Sequence, residues 1–327
     1  MKKFYGNKYT VGILNNMIKN KCAAHSVIFY GENGCGKKMA ANYYTSQLLC
    51  ENNIEGKSCG VCKSCRNTAD MTHPDVTYVQ TEGKLKGYSV KTIHAVIRDS
   101  FIKPNNNTGK KIYIFRDCSN MSIQSQNMLL KLIEEPPDYA YFIFTAESKY
   151  EFLPTIISRC ICLAVNICTI PEAETALTEI GYKSSDISAA TECFQGNIGR
   201  CIEYIENKDF RQKVELTKNI AESILNCDEY KLNFLLTSAG SEKNEFKVVL
   251  SMLDNIIGDS AVFSSDKYSV SRCCSRDLAV MLSEILTMRQ ILIIHEKIEG
   301  AVRAVESNVS ISLSAASLCA EIMRVLT

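Results

Sequence analysis

No stretch of this 327-residue sequence approaches the roughly 20 consecutive apolar residues that a membrane-spanning helix needs, which argues against a membrane protein. The opening MKKFYGNKYT leads into neither an apolar stretch nor a small-residue cleavage site, so an exported protein is not expected. Charge of one sign is lacking too: 37 Lys and Arg stand against 36 Asp and Glu, for a net charge of +1. Without a global field to draw the chain onto nucleic acid, any such contact is local or shared with partners. These absences leave a soluble, cytoplasmic protein as the expectation, and no internal repeat or low-complexity tract points to an array.

Cysteine, by contrast, is plentiful. In a reducing compartment, most of its 16 copies act as small buried hydrophobes rather than as disulfides. Cys59, Cys62 and Cys65 need another account, because they stand at CxxCxxC spacing with Cys50 nine residues earlier. Four thiolates within sixteen residues can close a tetrahedral Zn2+ site with no open position, which makes the ion structural. Gly60 and Ser64 favour the tight turns of such a knuckle. Cys50 also ends an apparent helix and has a plain core reading, with His73 as the reserve ligand. A free redox dithiol is the other alternative, and three evenly spaced cysteines suit it less well.

A chain of this length fits two or three compact units, and three are expected. SVIFYGENGCGKK reads as a strand over Ser26–Tyr30, a glycine loop, and a helix from about Lys37 to Cys50. Val76–Gln80 suits a second strand; Val90, Ile93, Val96, Ile97 and Phe101 then repeat at helical spacing until Pro104 and an asparagine run. KKIYIFRD is a third strand, SIQSQNMLLKLIEEPP an amphipathic helix stopped by Pro136 and Pro137, and YAYFIFTA a fourth strand. LPTIISRC and CICLAV supply a short helix and a last strand near Ile161–Val165. Short apolar strands alternating with helices predict an α/β domain with a parallel sheet covered on both faces. Beyond Asn166, PEAETALTEI, SSDISAATECF and IGRCIEYIEN predict three short helices. From about Asp209 long helices follow, such as DLAVMLSEILTMRQILIIHEKI over 277–298, with polar breaks around Ser238–Glu242 and Ser264–Lys267. The expected domains are residues 1–166 with an insert at 50–65, a small helical domain at 167–208, and a helical bundle at 209–327.

GENGCGKK carries the most specific chemistry. A phosphate-binding loop of the form GxxxxGK[ST] uses glycines to turn backbone N–H groups inward, a lysine for the terminal phosphates, and a hydroxyl for Mg2+. Gly31, Gly36 and Lys37 fit the pattern, with Gly34 inside it, but Lys38 stands where the hydroxyl belongs. An ammonium there offers no oxygen to a metal and repels it. Hydrolysis also wants an acidic pair at the end of the strand facing the loop, and after IYIF the chain has Arg116 and Asp117, so the first carboxylate is missing. A glycine-rich turn with no ligand is the plain alternative.

HSVIFYGENGCGKK, the four-cysteine insert, HPDV, NMLLKLIEEPP, FTAESKYEFLPTIISRC and GNIGR occur in an order that resembles the delta-prime subunits of bacterial DNA polymerase III clamp loaders, a family of the AAA+ class. The resemblance covers about residues 1–206 closely; the last third shares only helical character and length. It implies an AAA+ P-loop-type module, a small helical lid domain and a C-terminal collar, joined with motor gamma/tau-type and delta-type subunits in a hetero-pentamer. Such an assembly loads the sliding clamp onto primer-template DNA during replication. In this family the delta-prime subunit need not hydrolyse ATP, and Lys38 and Arg116 place the chain with that type. The resemblance also assigns roles. Arg159, in Ser158-Arg159-Cys160, matches an arginine finger reaching the neighbouring subunit's ATP; Thr145 matches a phosphate-sensing position, and Arg200 in GNIGR a lid arginine. Together with Gly31, Gly34, Gly36, Lys37, Lys38 and Asp117 they outline a degenerate site for ATP or ADP.

Two other functions compete. A working AAA+ motor subunit predicts Ser or Thr at position 38 and an acid at position 116, and both are absent. A stand-alone zinc-dependent nucleic-acid binder predicts a basic stripe with aromatics at the knuckle; Lys57, Lys63 and Arg66 are there, but no aromatic lies between Cys50 and Cys65.

Overall fold

The computed structural model describes residues 3–81, 87–240, 242–267, 269 and 271–326. The chain divides into two compact units, residues 1–172 and 173–327. Among the described residues no helix is long and apolar enough to cross a membrane.

The first unit runs α1 (Lys8–Lys19), β1 (Ser26–Tyr30), α2 (Lys37–Leu49), α3 (Lys63–Ala69), β2 (Val76–Val79), α4 (Val90–Ser100), β3 (Lys111–Phe115), α5 (Ile123–Glu134), β4 (Ala140–Ala146), α6 (Pro154–Ile157) and β5 (Ile161–Ala164). The strands form a five-stranded sheet in the order β2-β3-β4-β1-β5, with all four pairings among the described residues parallel. Because side chains alternate along a strand, the aromatic and β-branched runs split between two faces. Ile28, Tyr113, Phe115, Phe142 and Phe144 pack on one side with α4 and α5. Val27, Phe29, Ile112, Ile114 and Ile143 pack on the other with Leu14, Ala40, Tyr44 and Leu48 from α1 and α2. The expected parallel sheet, covered on both faces, is therefore present. All strands point the same way, so the loops that follow β1, β3 and β4 gather at one edge of the sheet, the usual place for a ligand.

Local signals explain several helix ends. Ser89 caps α4 by accepting from Thr92 N–H at 3.2 Å, and Ser122 caps α5 by accepting from Ser125 N–H at 3.2 Å. Pro136 and Pro137 follow the end of α5. Helices α1 and α3 were not expected. In α3 the sequence KSCRNTA has no apolar period; Cys62 starts the helix as its N-cap.

The second unit contains α8 (Ser184–Phe194), α9 (Ile198–Glu206), α10 (Lys208–Leu225), α11 (Glu229–Thr237), α12 (Lys243–Ser265), α13 (Arg276–Ile285), α14 (Met288–Glu306) and α15 (Ile311–Leu326); the division between the units falls within α7 (Ile170–Ile180). One hydrophobic core runs from Leu177 through Cys201, Phe210, Phe246 and Ile256 to Ile322, across the expected boundary at 208. The single helix expected over 277–298 is two. Thr287 closes a capping box with Gln290, its hydroxyl accepting from Gln290 N–H at 3.3 Å while its own N–H donates to Gln290 Oε1 at 3.0 Å. That reciprocal pair starts a new helix inside an unbroken apolar pattern.

Candidate functional site

Between β1 and α2 the chain makes a tight turn that only glycine can follow at its first position. A Cβ on Gly31 would stand 2.1 Å from Val165 O, and its φ is +155°. Gly34 and Gly36 also have positive φ, +86° and +102°. Gly36 is the N-cap of α2 and offers no side-chain bond, so the first N–H groups of α2 lack a side-chain cap. Lys37 is 6% exposed and folds back into the turn, its Nζ donating to Gly31 O at 2.6 Å and Glu32 O at 2.9 Å. Asn33 donates to Glu147, which tethers the turn to the end of β4. Cys35 lies buried inside the loop, and burial raises its thiol above the ordinary value.

The two departures from a hydrolytic site have definite places. Lys38 Nζ stands 3.4 Å from Asp117 Oδ2, with both side chains more than half exposed. Asp117 is itself fixed in a left-handed turn, φ +54°, by donating its N–H to the buried Thr145 hydroxyl at 3.0 Å. Arg116 turns elsewhere: its guanidinium lies 4.4 Å from the Tyr78 ring centroid and donates to Met71 Sδ at 3.5 Å. So the structure brings Gly31, Gly34, Gly36, Lys37, Lys38, Asp117 and Thr145 to the same edge of the sheet, and Arg116 is occupied by an aromatic face. An Mg2+ ion needs near-octahedral oxygen ligands at ~2.0–2.1 Å, and a cation already paired with the carboxylate does not fit that requirement.

The cysteine cluster assembles from the end of α2 and the start of α3. The Sγ atoms of Cys50, Cys59, Cys62 and Cys65 all lie within 4.8 Å of one another, with Cys59 and Cys65 4.0 Å apart. Metal–sulfur bonds of ~2.3 Å at tetrahedral angles put sulfurs ~3.8 Å apart, so the set fits one metal ion. Backbone N–H groups point at the sulfurs: Cys59 donates to Cys50 at 3.2 Å, Cys62 to Cys59 at 3.4 Å, and Cys65 to Cys62 at 3.4 Å. Such bonds stabilise thiolate charge. The backbone amides of Val61 and Cys62 bring the Cys59 thiol down to about 6, whereas burial pushes the Cys50 and Cys65 thiols up. Cys50 is a member of the cluster. His73, the reserve ligand, is outside it: its Nδ1 accepts from Asp75 N–H at 3.2 Å, and burial lowers its basicity.

Arg159 sits just past α6. It pairs with Glu134 Oε1 at 2.9 Å and donates to Thr155 O at 3.0 Å and Ser158 Oγ at 3.3 Å. Glu134 escaped the sequence reading although it stands in LLKLIEEPP, one of the stretches that carry the resemblance. Glu147 escaped it as well, although it stands in FTAESKYEFLPTIISRC, another of those stretches. Arg200 belongs to the second unit, where it pairs with Glu203 Oε2 at 3.0 Å and lies 5.4 Å from the Phe210 ring centroid.

A parallel sheet with a glycine turn between β1 and the start of α2 defines a P-loop-type α/β protein. Residues 6–168 match the family described as DNA polymerase III, delta subunit. The chain is 30% identical to the DNA polymerase III subunit delta' of Pseudomonas aeruginosa over 154 residues, covering 47% of this chain and 46% of that protein. It is 28% identical to the subunit delta' of Bacillus subtilis over 203 residues, 61% of this chain and 59% of that one. Over its first half, then, the chain is similar to the delta-prime subunits of DNA polymerase III. It spans about half the length of the curated relatives it matches. A solved DNA polymerase III gamma subunit-related protein from Thermotoga maritima aligns with 97% of this chain and all of its own, at 17% identity and a TM-score of 0.46.

Proposed function

We propose that the chain is a non-hydrolysing subunit of a DNA polymerase III clamp loader. It joins motor gamma/tau-type and delta-type subunits in a hetero-pentamer and helps to load the sliding clamp onto primer-template DNA. Arg159 serves as an arginine finger for the ATP of the neighbouring subunit. Residues 167–208 act as the lid and 209–327 as the collar. Zinc, held by Cys50, Cys59, Cys62 and Cys65, fixes the insert between α2 and α3 and takes no part in chemistry.

The observation that carries this reading is the contrast between a retained phosphate-loop shape and a removed metal site. Lys38 is paired with Asp117 at 3.4 Å and Arg116 is stacked on Tyr78. A chain under selection for its own ATP turnover has no use for cations at both positions. The curated relatives named above are clamp-loader subunits, which supports the assembly role.

Mixing the purified chain with gamma/tau-type and delta-type subunits, then measuring complex size, tests the reading. A stable hetero-oligomer that includes this chain is the expected result. A chain that stays apart from both partners yet binds primer-template DNA alone overturns it in favour of a stand-alone binder.

A further inference from the structure

We propose that Gln47 positions the cysteine cage for its metal: it holds Gly56 in place and thereby fixes Cys59 against Cys50. The inference rests on reading the four cysteines as a zinc site and goes further by naming a group outside the ligands that sets the affinity.

The four ligands fall into two pairs held in different ways. Cys62 is the N-cap of α3 and Cys65 lies in its first turn, so one helical turn sets their separation. Cys50 ends α2, and Cys59 follows after eight residues of non-helical chain, so no helix relates those two. A loop of that length has many closed forms, and its ordering opposes any metal that must gather its ends. Here the loop is pinned in the middle. Ile54 N–H donates to Lys57 O at 3.1 Å and Lys57 N–H to Ile54 O at 2.9 Å, which closes a turn. In that turn Ile54, Glu55 and Lys57 are exposed and Gly56 is buried. A Cβ on Gly56 would stand 2.1 Å from Asn15 O, and φ there is +83°, so glycine is what lets the turn rest on α1.

Gln47 secures that contact. It is 1% exposed and stands three residues before Cys50, and its Nε2 donates to Gly56 O at 2.5 Å and to Asn15 Oδ1 at 2.6 Å. One amide thus ties the turn to α1 and α2 together, and only Lys57 and Ser58 lie between the pinned point and Cys59. Cys59 N–H then reaches Cys50 Sγ at 3.2 Å. Gln47 Oε1 has no hydrogen-bond partner among the described residues, and a buried oxygen left unpaired lowers stability. An apolar side chain of the same length would fill the space without that cost, so packing alone does not account for a glutamine.

The test is the zinc affinity of the chain, measured by competition with a chromogenic chelator, beside thermal melting and hydrogen exchange of the zinc-free chain. Gln47→Met keeps the length and removes both donors. It should weaken zinc binding by about tenfold or more, the range expected when a group that orients metal ligands is removed, with the zinc-free melting temperature kept. Amides over 54–62 in the zinc-free variant should exchange faster than in the wild-type chain. Gly56→Ala lifts the turn off α1 from the other side and should weaken zinc binding at least as much. Unchanged zinc affinity in either variant, a loss in Gln47→Met matched by a lower zinc-free melting temperature, or wild-type exchange over 54–62 each overturns the proposal. A wild-type chain that binds no zinc removes the zinc reading and this inference together; one that binds zinc no better than Gln47→Met loses this inference alone.

Discussion

The guanidinium of Arg159 lies 2.9 Å from the Glu134 carboxylate, which joins the SRC stretch after α6 to the LLKLIEEPP stretch that ends α5. Both side chains are partly exposed, so the pair contributes at most about 1 kcal/mol. It aims Arg159 without committing it, since a neighbouring phosphate can compete for the same planar fork of donors.

Arg159→Ala should therefore leave the chain folded and able to assemble. ATP hydrolysis by the assembled complex, with clamp and primed DNA present, should fall, by as much as ~10^3–10^5 if the finger acts as in well-studied switch proteins. Arg159→Lys should recover little, because one ammonium cannot reproduce a bidentate contact. Steady-state hydrolysis at the wild-type rate in a normally assembled mutant complex would remove the role.

The cysteine cluster predicts about one zinc per chain after purification without chelators. Cys62→Ser should lose it while keeping the start of α3, because the serine hydroxyl can still accept from Cys65 N–H as the N-cap, so the stability lost is the metal's own contribution. Metal analysis by mass spectrometry, with thermal melting before and after chelation, decides the matter. Full zinc content in Cys62→Ser would mean that the ion sits elsewhere.

Alone, the chain should show no measurable ATP turnover. Lys38 offers no hydroxyl and Arg116 no carboxylate, and the latter is held over the Tyr78 ring. A steady phosphate release that disappears in Lys37→Ala would show that the loop works as a motor despite both changes.

Elements whose cause is local were legible in the sequence. The run SVIFY became β1 over Ser26–Tyr30, and two prolines stop α5 where expected. The CxxCxxC run plus Cys50 identified the cluster because its ligands lie close in the chain. The two-helix break at Thr287 was missed because apolar spacing continues through it while the deciding signal is a hydroxyl and an amide three residues apart. Contacts made across the sheet edge were not legible. Nothing near Lys38 or Arg159 in sequence announces Asp117 or Glu134 as partner, since those pairings follow from strand order and not from spacing.

Gly31 gives a stability prediction with a steric cause. A methyl group there meets Val165 O at 2.1 Å, and the backbone conformation is one that L side chains rarely adopt. Gly31→Ala should destabilise the chain by about 2–4 kcal/mol, read as a lower melting temperature. Gly60→Ala, at positive φ but with open space around the Cβ, should cost clearly less. Equal losses for the two would mean that the Val165 contact is not what constrains the turn.

The second unit carries a pH response of definite sign. His295 Nδ1 lies 2.6 Å from Asp254 Oδ1, with Glu299 Oε1 3.8 Å from Nε2. The hydrogen bond to Asp254 raises the imidazole above its ordinary value of 6.5, so the folded chain holds that proton more tightly than the unfolded one. Its contribution to stability is present in full below the ordinary value and fades as pH climbs through the raised one. Asp254, pushed up by burial, changes in the same direction but lower, in the carboxylate range. Across the imidazole range, roughly pH 6 to 8, the melting temperature of the wild-type chain should therefore decline relative to that of His295→Gln. Measuring both across that range checks the sign: parallel curves would show that the Asp254 contact does not favour the charged ring, and a relative rise for the wild-type chain would show that the ring is held neutral instead.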